Sequence, residues 1–203
     1  MRDSLKQTAV VFDIGRVLVN FSLEPIREYL CNRGAVIDDI PEFAVRIKMR
    51  EYESGMLSTD NFLNGLASTL KGPHDLLALA QAWQNIFEPI PEMLELLERV
   101  SSKTPTFLLS NTNELHWSYL DSQFSLSSRV SGGVVTSFQA RCLKPDPKIY
   151  EYIEKKYALS TANLVFIDDI LENVTTAQAR GWRGIHHKNY LMTVDSLSEL
   201  GVL

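Results

Sequence analysis

The chain has 203 residues and a mass of 23.0 kDa, which is enough for one α/β domain with a modest insertion. Its net charge of −5, without a basic cluster, gives no electrostatic support for a nucleic-acid partner or an anionic membrane surface. No apolar stretch is long enough to cross a bilayer, and the first apolar run is interrupted by Asp13 and Arg16, which predicts no secretory signal. Two widely spaced cysteines, Cys31 and Cys142, predict free thiols in a reducing cytoplasm.

The first strand is predicted where an apolar run ends on a carboxylate. The run is too short for a helix and rich in valine, and it predicts a buried parallel strand from about Thr8 to Phe12. Asp13 would then lie at the carboxyl end of this strand, where open α/β sheets bind ligands. The alternative is that Asp13 caps the segment that follows it.

Helical patterns without an intervening strand follow. Four helices are predicted, at about Glu24–Leu30, Pro41–Glu53, Ser58–Leu70 and Asp75–Trp83. Consecutive helices do not belong inside a regular βαβ repeat. We therefore expect a helical insertion at residues 21–85, which divides an α/β core formed by residues 1–20 and 86–203.

Strands and helices alternate from Ile90 to the end. The later strands are predicted at Thr106–Leu109, Gly133–Ser137, Asn163–Ile167 and Gly184–His187. Helices are predicted after Pro91, at Glu114–Phe124, after Lys144-Pro145, at Leu171–Arg180 and, as a helix or turn, at Ser196–Leu203. This alternation predicts a doubly wound parallel sheet that is covered by helices on both faces.

Polar residues follow several of the predicted strands and would meet at one edge of the sheet. They are Asp13, Ser110, Lys144, Asp168 and Asp169. Neighbouring carboxylates repel each other, so a cation is expected among them, and oxygen ligands suit Mg²⁺. A carboxylate beside a cation and a lysine can attack phosphorus, while lysine and serine hold the phosphoryl oxygens. Each motif alone also fits a helix cap or a turn.

Together these motifs resemble those of the haloacid dehalogenase-like (HAD) hydrolase superfamily, and in particular its capped sugar-phosphate phosphatases. The motifs, in order, are Phe12-Asp13-Ile14-Gly15, Leu109-Ser110-Asn111-Thr112, Lys144-Pro145-Asp146 and Phe166-Ile167-Asp168-Asp169 with Asn173. The helical insertion corresponds to the cap of that family, and residues 53–58 are similar to a linker between its cap helices.

The resemblance implies a role for each motif residue. Asp13 would be the nucleophile and a metal ligand. The other implied metal ligands are the Gly15 carbonyl, Asp169 and, directly or through water, Asp168. Asn173 would support their loop, and the implied contacts to the phosphoryl group are Ser110, Asn111 and Lys144.

One position departs from the family pattern. Most phosphatases of the superfamily carry an aspartate two residues after the nucleophile, as general acid and base, whereas this chain has Gly15. Three interpretations follow: a phosphatase with another proton source, a metal-free 2-haloacid dehalogenase, or a catalytically inactive binding protein. Paired acids at 168 and 169 disfavour the dehalogenase, and intact Asp13, Ser110 and Lys144 disfavour the inactive protein.

Two residues near the predicted site could contribute further. His116, with an ordinary pKa near neutrality, is a candidate proton donor, or else an ordinary helix residue. Arg16 cannot donate a proton because guanidinium stays charged, but it could bind a substrate phosphate or hydroxyl, or form a structural ion pair. The sequence thus predicts a cytoplasmic, Mg²⁺-dependent phosphatase that acts on a small phosphorylated metabolite, with a sugar phosphate the expected substrate, through phospho-Asp13.

Overall fold

A computed structural model describes residues 8–203 of the chain. Its strands are β1 (Ala9–Phe12), β2 (Val19–Phe21), β3 (Phe87–Pro89), β4 (Thr106–Ser110), β5 (Gly133–Thr136), β6 (Leu164–Asp168) and β7 (Arg183–His186). Its helices are α1 (Glu24–Cys31), α2 (Ile40–Arg46), α3 (Met49–Glu53), α4 (Thr59–Ala67), α5 (Leu76–Gln84), α6 (Pro91–Ser101), α7 (Glu114–Phe124), α8 (Ser137–Ala140), α9 (Pro147–Lys156), α10 (Leu171–Ala179) and α11 (Tyr190–Glu199). Short 3-10 turns lie at Leu126–Arg129 and Thr161–Asn163.

The main sheet has five parallel strands in the order β5-β4-β1-β6-β7. β1 lies at the centre, where Val10 pairs with Thr106 of β4 and with Val165 of β6. Every residue of β1, β4 and β6 is buried, as expected for central parallel strands with near-continuous apolar sequences. The predicted doubly wound α/β fold is confirmed.

Helices cover both faces of this sheet. Alternate residues of β1 point to opposite faces: Val10 and Phe12 pack in one apolar cluster with residues of α6 and α11, and Val11 packs in another with residues of α9 and α10. Because all five strands run in the same direction, their carboxyl ends lie at one edge. Asp13, Ser110 and Asp168 come to that edge at the ends of three adjacent strands.

The helices α1–α5 have an apolar cluster of their own. Its fully buried members include Leu30, Tyr52, Phe62, Leu66 and Leu79. The segment leaves and rejoins the rest of the chain through β2 and β3, which form an antiparallel ribbon. These features support the proposed boundary of the helical insertion at residues 21–85. Residues 1–7, which the predicted core also includes, lie outside the described residues.

Two local predictions are corrected. The helix expected at Pro41–Glu53 is two helices, α2 and α3, because Lys48 adopts a left-handed conformation with φ of 56° between them. The insertion therefore contains five helices among the described residues rather than four. The ribbon of β2 and β3 and the short helix α8 were also absent from the prediction, since three or four residues carry too little periodicity.

Within residues 8–203, none of the helices combines the length and the hydrophobicity that crossing a membrane requires.

Candidate active site

Asp13 follows the central strand, and its carboxylate faces a buried ammonium group. The main-chain N–H of Asp13 donates to the carbonyl of Ile167 at 2.9 Å, which continues the pairing of β1 with β6. Oδ1 of Asp13 lies 2.8 Å from Nζ of Lys144, and the two side chains are only 9% and 1% exposed. The predicted nucleophile is thus fixed by the sheet through its backbone and by Lys144 through its side chain.

Lys144 bridges two carboxylates and is itself held by Asn111. Its Nζ lies 2.6 Å from Oδ2 of Asp168 as well. The main-chain N–H of Lys144 donates to Oδ1 of Asn111 at 2.8 Å, and Nδ2 of Asn111 donates to the Lys144 carbonyl at 2.9 Å. The Asn111 side chain therefore positions the loop of Lys144, and its predicted contact with a phosphoryl group stays a prediction.

Asp168, at the end of β6, accepts hydrogen bonds on both oxygens. Nδ2 of Asn173 lies 3.0 Å from Oδ1 and 3.1 Å from Oδ2, and the main-chain N–H of Ile170 donates to Oδ1 at 2.8 Å. With the ammonium of Lys144, these donors leave little rotational freedom to the carboxylate. Asn173 lies where the resemblance implies a supporting residue for this loop.

Three carboxylates meet at this edge of the sheet. Asp13, Asp168 and Asp169 each present an oxygen within 4.8 Å of the others. The carbonyl oxygen of Gly15, the further predicted ligand, accepts no main-chain hydrogen bond among residues 8–203. An all-oxygen donor set suits Mg²⁺, and a cation would balance three carboxylates of which only Asp13 and Asp168 are paired with the ammonium of Lys144. The residues present therefore fit the predicted metal.

The pKa values reflect the same crowding of charge. Burial raises the pKa of Asp13 above its usual range; Lys144 acts against this and Asp168 adds to it. Burial favours a lower pKa for Lys144, but the carboxylates of Asp13 and Asp168 outweigh it and the pKa is raised. Burial also raises the pKa of Asp169, which Asp168 reinforces. The carboxylates thus lie where an added positive charge is favourable.

A cavity of about 210 Å³ lies beside Ser110 and Asn111; we call it the site cavity. The Ser110 hydroxyl is buried, and its bond to the Asn111 carbonyl is long, at 3.4 Å. Most of the lining is apolar and includes Ile14, Phe21, Met49, Ile86, Phe87 and Leu120. A ligand that places a phosphoryl group near Ser110 would therefore rest the remainder of its structure against apolar side chains.

His116 lines the site cavity, but its contacts argue against the predicted proton-donor role. Nε2 donates to the carbonyl of Trp83 at 3.0 Å, and Nδ1 accepts from Nδ2 of Asn113 at 3.0 Å. The ring also stacks on Trp83. Burial lowers the pKa of His116 to about 4, so the imidazole is neutral near pH 7 and both of its nitrogens are engaged.

Arg16 lies at the mouth of the site in a left-handed conformation, with φ of 59°. Its guanidinium lies 4.4 Å from the ring centroid of Phe21, a residue of the site cavity, and the side chain is exposed. Its positive charge also acts on Asp169, whose pKa it lowers slightly against the larger effect of burial. Substrate binding by Arg16 stays a prediction.

Glu53 is a residue of the site cavity that the sequence analysis does not identify. It ends α3, far along the chain from β1 and β4, and lines the same cavity as residues that follow those strands. The sequence signal is only the similarity of residues 53–58 to a cap linker, which indicates a connection between helices. The presence of Glu53 and Ser110 in one cavity lining depends on how the helical insertion packs against the core, which local patterns do not encode.

Comparison with known proteins agrees with this arrangement. A family model described as haloacid dehalogenase-like hydrolase matches residues 7–181. The chain is 26% identical to a sesquiterpene phosphatase of Aspergillus oryzae, over 95% of each protein. It is 23% identical to a D-ribitol-5-phosphate phosphatase of Bacteroides thetaiotaomicron, over 89% of this chain and 91% of that protein.

A solved structure shows the shared fold. It is a HAD family enzyme of Bacteroides thetaiotaomicron in complex with magnesium and inorganic phosphate, 23% identical, with a TM-score of 0.79 over 90% of this chain and 94% of that one. The family match covers most of the chain, including the three strand ends that carry Asp13, Ser110 and Asp168. The chain therefore belongs to the haloacid dehalogenase-like hydrolase family.

Proposed function

We propose that this chain is a Mg²⁺-dependent phosphatase that hydrolyses a small organic phosphate through a phosphorylated Asp13. The observation that carries the proposal is the cluster at the sheet edge, where the Asp13 carboxylate lies 2.8 Å from Lys144 and within 4.8 Å of oxygens of Asp168 and Asp169. Two relatives with similarity along nearly the whole chain are named phosphatases, which supports the same reaction.

Each residue of the cluster has a defined task in this reaction. One oxygen of Asp13 attacks phosphorus, a P–O bond to Asp13 forms, and the P–O bond to the leaving group breaks. The ammonium of Lys144 and the hydroxyl of Ser110 hold phosphoryl oxygens by charge and hydrogen bond. Water then attacks phosphorus, inorganic phosphate leaves and Asp13 is restored. Bound at Asp13, Gly15, Asp168 and Asp169, Mg²⁺ would supply positive charge that stabilises the phosphoryl oxygens.

The competing functions have less support. A metal-free dehalogenase has no use for three clustered carboxylates, since halide leaves without a cation or a proton. A binding protein does not require a nucleophile whose position is fixed by the central strand and by Lys144. Gly15 removes the usual proton donor, and a missing general acid costs about 10²–10⁴ in rate unless another group replaces it.

The substrate class depends on the site cavity. The sequence favours a sugar phosphate, whose hydroxyl groups need polar partners, whereas the cavity lining is mostly apolar. This favours, as a second candidate, the monophosphate of an alcohol with a large apolar part. A relative named sesquiterpene phosphatase is consistent with that candidate, and one named D-ribitol-5-phosphate phosphatase with a polyol or sugar phosphate.

A substrate panel tests both levels of the proposal. Sugar phosphates, polyol phosphates, terpenoid monophosphates and 2-chloropropionate are incubated with and without Mg²⁺, and released phosphate or chloride is measured. Phosphate release that requires Mg²⁺ and is lost in Asp13→Asn, with the fold retained by circular dichroism, is the expected result. Chloride release without metal indicates the dehalogenase, and release of neither ion indicates a binding protein.

The remaining predictions concern the binding partner and the cellular location. We infer a small phosphorylated molecule as the partner of the site, without nucleic acid or membrane binding, because of the net charge of −5. A cytoplasmic location is supported by the free thiols of Cys31 and Cys142.

A further inference from the structure

Gly15 leaves an open direction in the site cavity where most family members place an acid. A Cβ built on Gly15 would meet only the ring of Phe21, at 3.4 Å, and Phe21 lines the same cavity. A carboxyl group that enters this cavity from another part of the chain could therefore take over proton transfer. Among the residues that line the cavity, Glu53 is the one with a carboxyl group.

The backbone of Glu53 is anchored next to the loop of the predicted phosphoryl-binding residues. Oγ of Ser137 donates a hydrogen bond to the Glu53 carbonyl at 2.7 Å. The same Oγ accepts a hydrogen bond from the main-chain N–H of Thr112 at 2.9 Å. Thr112 belongs to the segment that follows Ser110. One hydroxyl group thus joins the end of α3 to the loop after β4, and it fixes the distance between Glu53 and that loop.

A second contact strengthens this anchor. Gly55 has φ of +68°, and a Cβ added there would lie 2.2 Å from the carbonyl oxygen of Phe138. Only a glycine allows the backbone of the insertion to approach α8 so closely. Residues 53–55 are therefore held against the core at two points, through Ser137 and through Phe138.

The carboxyl group of Glu53 is in a suitable state for proton transfer. No hydrogen bond or ion pair among residues 8–203 engages it. Burial raises the pKa of Glu53 to about 7, against a smaller opposite effect of Arg50 on the same helix. Of the helices packed on α3, α8 has no ionisable group, α4 carries Asp60, and α2 carries Glu42 and Arg46; the pKa of Glu53 is set by burial and by Arg50. His116, which also lines the cavity, is neutral near pH 7.

We propose that Glu53 is the general acid for the leaving group, and the general base for water, in place of the missing aspartate at position 15. As Asp13 bonds to phosphorus, the carboxylic acid of Glu53 gives its proton to the departing oxygen, and an alcohol leaves. The carboxylate of Glu53 then takes a proton from the attacking water, so the acid is restored in each cycle. This role rests on the proposed phosphatase function.

Two substrates of similar shape separate this role from a structural one. Benzyl phosphate releases an alkoxide-like oxygen that needs a proton, whereas 4-nitrophenyl phosphate releases a stable phenolate. We expect Glu53→Gln to lower kcat/KM for benzyl phosphate by about 10²–10⁴ and that for 4-nitrophenyl phosphate less than about tenfold. Retained turnover of the aryl ester shows that the variant is folded. Glu51→Gln, on the exposed side of the same helix, is the matched control and should leave both rates unchanged.

The pH profile and a rescue variant complete the test. Since the acid must be protonated, kcat/KM of the unaltered chain for benzyl phosphate should fall above pH about 7. The Glu53→Gln variant should not show this decrease. Gly15→Asp in the Glu53→Gln background should restore benzyl phosphate turnover, because a Cβ at Gly15 makes only van der Waals contact with the ring of Phe21 and the φ of Gly15 is ordinary.

The contrary outcomes are distinct from each other. Equal losses on both esters, or an unchanged pH profile in Glu53→Gln, would show that Glu53 is structural while the phosphatase function stands. An unaltered chain that releases no phosphate from either ester with Mg²⁺ would overturn the proposed function, and the role of Glu53 with it.

Discussion

The candidate site has two sides that stabilise their ionisable groups in different ways. At the strand ends, Lys144 lies 2.8 Å from Asp13 and 2.6 Å from Asp168, so that the buried charges are paired. Across the site cavity, Glu53 and His116 lie among apolar side chains that disfavour their charged forms. In the proposed reaction, the first side holds the charge that attack on phosphorus and metal binding require, and the second keeps a proton available for the leaving group.

The largest expected effect comes from breaking the paired side. Lys144→Ala leaves the carboxylates of Asp13 and Asp168 buried without their cation, and we expect the free energy of unfolding to fall by about 3–5 kcal/mol. The measurement is urea unfolding at neutral pH with EDTA, so that no metal replaces the ammonium. Lys148→Ala, at an exposed position of α9, is the control and should change stability by less than about 0.5 kcal/mol. A similar small change in Lys144→Ala would mean that the carboxylates are stabilised without it.

The ionisable groups that line the site cavity give opposing pH dependences of stability, and that of His116 can be isolated. In the unfolded chain His116 takes up a proton below its ordinary pKa of 6.5, while the folded chain resists protonation down to a pKa of about 4. The contribution of His116 to stability should therefore fall as pH decreases through this window, by at most about 1.4 kcal/mol per pH unit and about 3 kcal/mol in total. The raised pKa values of Glu53 and Asp13 contribute in the opposite direction over the same range.

Comparison with His116→Asn isolates this contribution. The variant lacks the titrating ring, so the change in its unfolding free energy from about pH 4.5 to about pH 7, measured by urea, should be less positive than that of the unaltered chain. The difference in slope, and not the absolute stability, is the quantity to compare, because the substitution also removes the stacking on Trp83. Parallel profiles would show that His116 is accessible to protons in the folded chain.

The smallest of these effects concerns the contact between the two sides. Gly55→Ala forces a left-handed alanine against the Phe138 carbonyl, and we expect the free energy of unfolding to fall by about 1–3 kcal/mol. Turnover of benzyl phosphate should fall by a larger factor than turnover of 4-nitrophenyl phosphate. The matched control is Gly65→Ala, in an exposed turn of α4 with open space around it, which should raise stability by about 0.5–1 kcal/mol. Equal behaviour of the two variants would contradict the close packing at Gly55.

The difference between the two sides also explains what the sequence could reveal. Apolar runs that end on Asp13, Ser110 and Asp168 predict strands, and parallel strands must bring their carboxyl ends together, so the paired side follows from local patterns. Lys144 joins these residues because it lies in the loop that precedes α9, beside the same edge. The roles of these residues remain predictions, but their convergence is observed.

The cavity side could not be predicted in this way. Glu53 reaches the site through Ser137 and Gly55, contacts between segments more than 80 residues apart that no periodicity records. His116 lines the cavity, but the burial that keeps it neutral and the hydrogen bonds of its ring depend on Trp83 in the insertion and on Asn113. Contacts between distant segments determine the environments of Glu53 and His116, whereas the end of a strand is determined by a few neighbouring residues.

Because β1 lies in the middle of the sheet, the substrate preference of this protein can change during evolution without moving Asp13. Breaking the hydrogen bonds of a strand that is paired on both edges amounts to unfolding the domain, so amide exchange at Asp13 should be among the slowest in the chain. The backbone of Asp13, the proposed nucleophile, therefore keeps its place for as long as the protein is folded. Substitutions in α1–α5 can therefore change the lining of the site cavity, and with it the substrate preference, while the position of Asp13 stays the same.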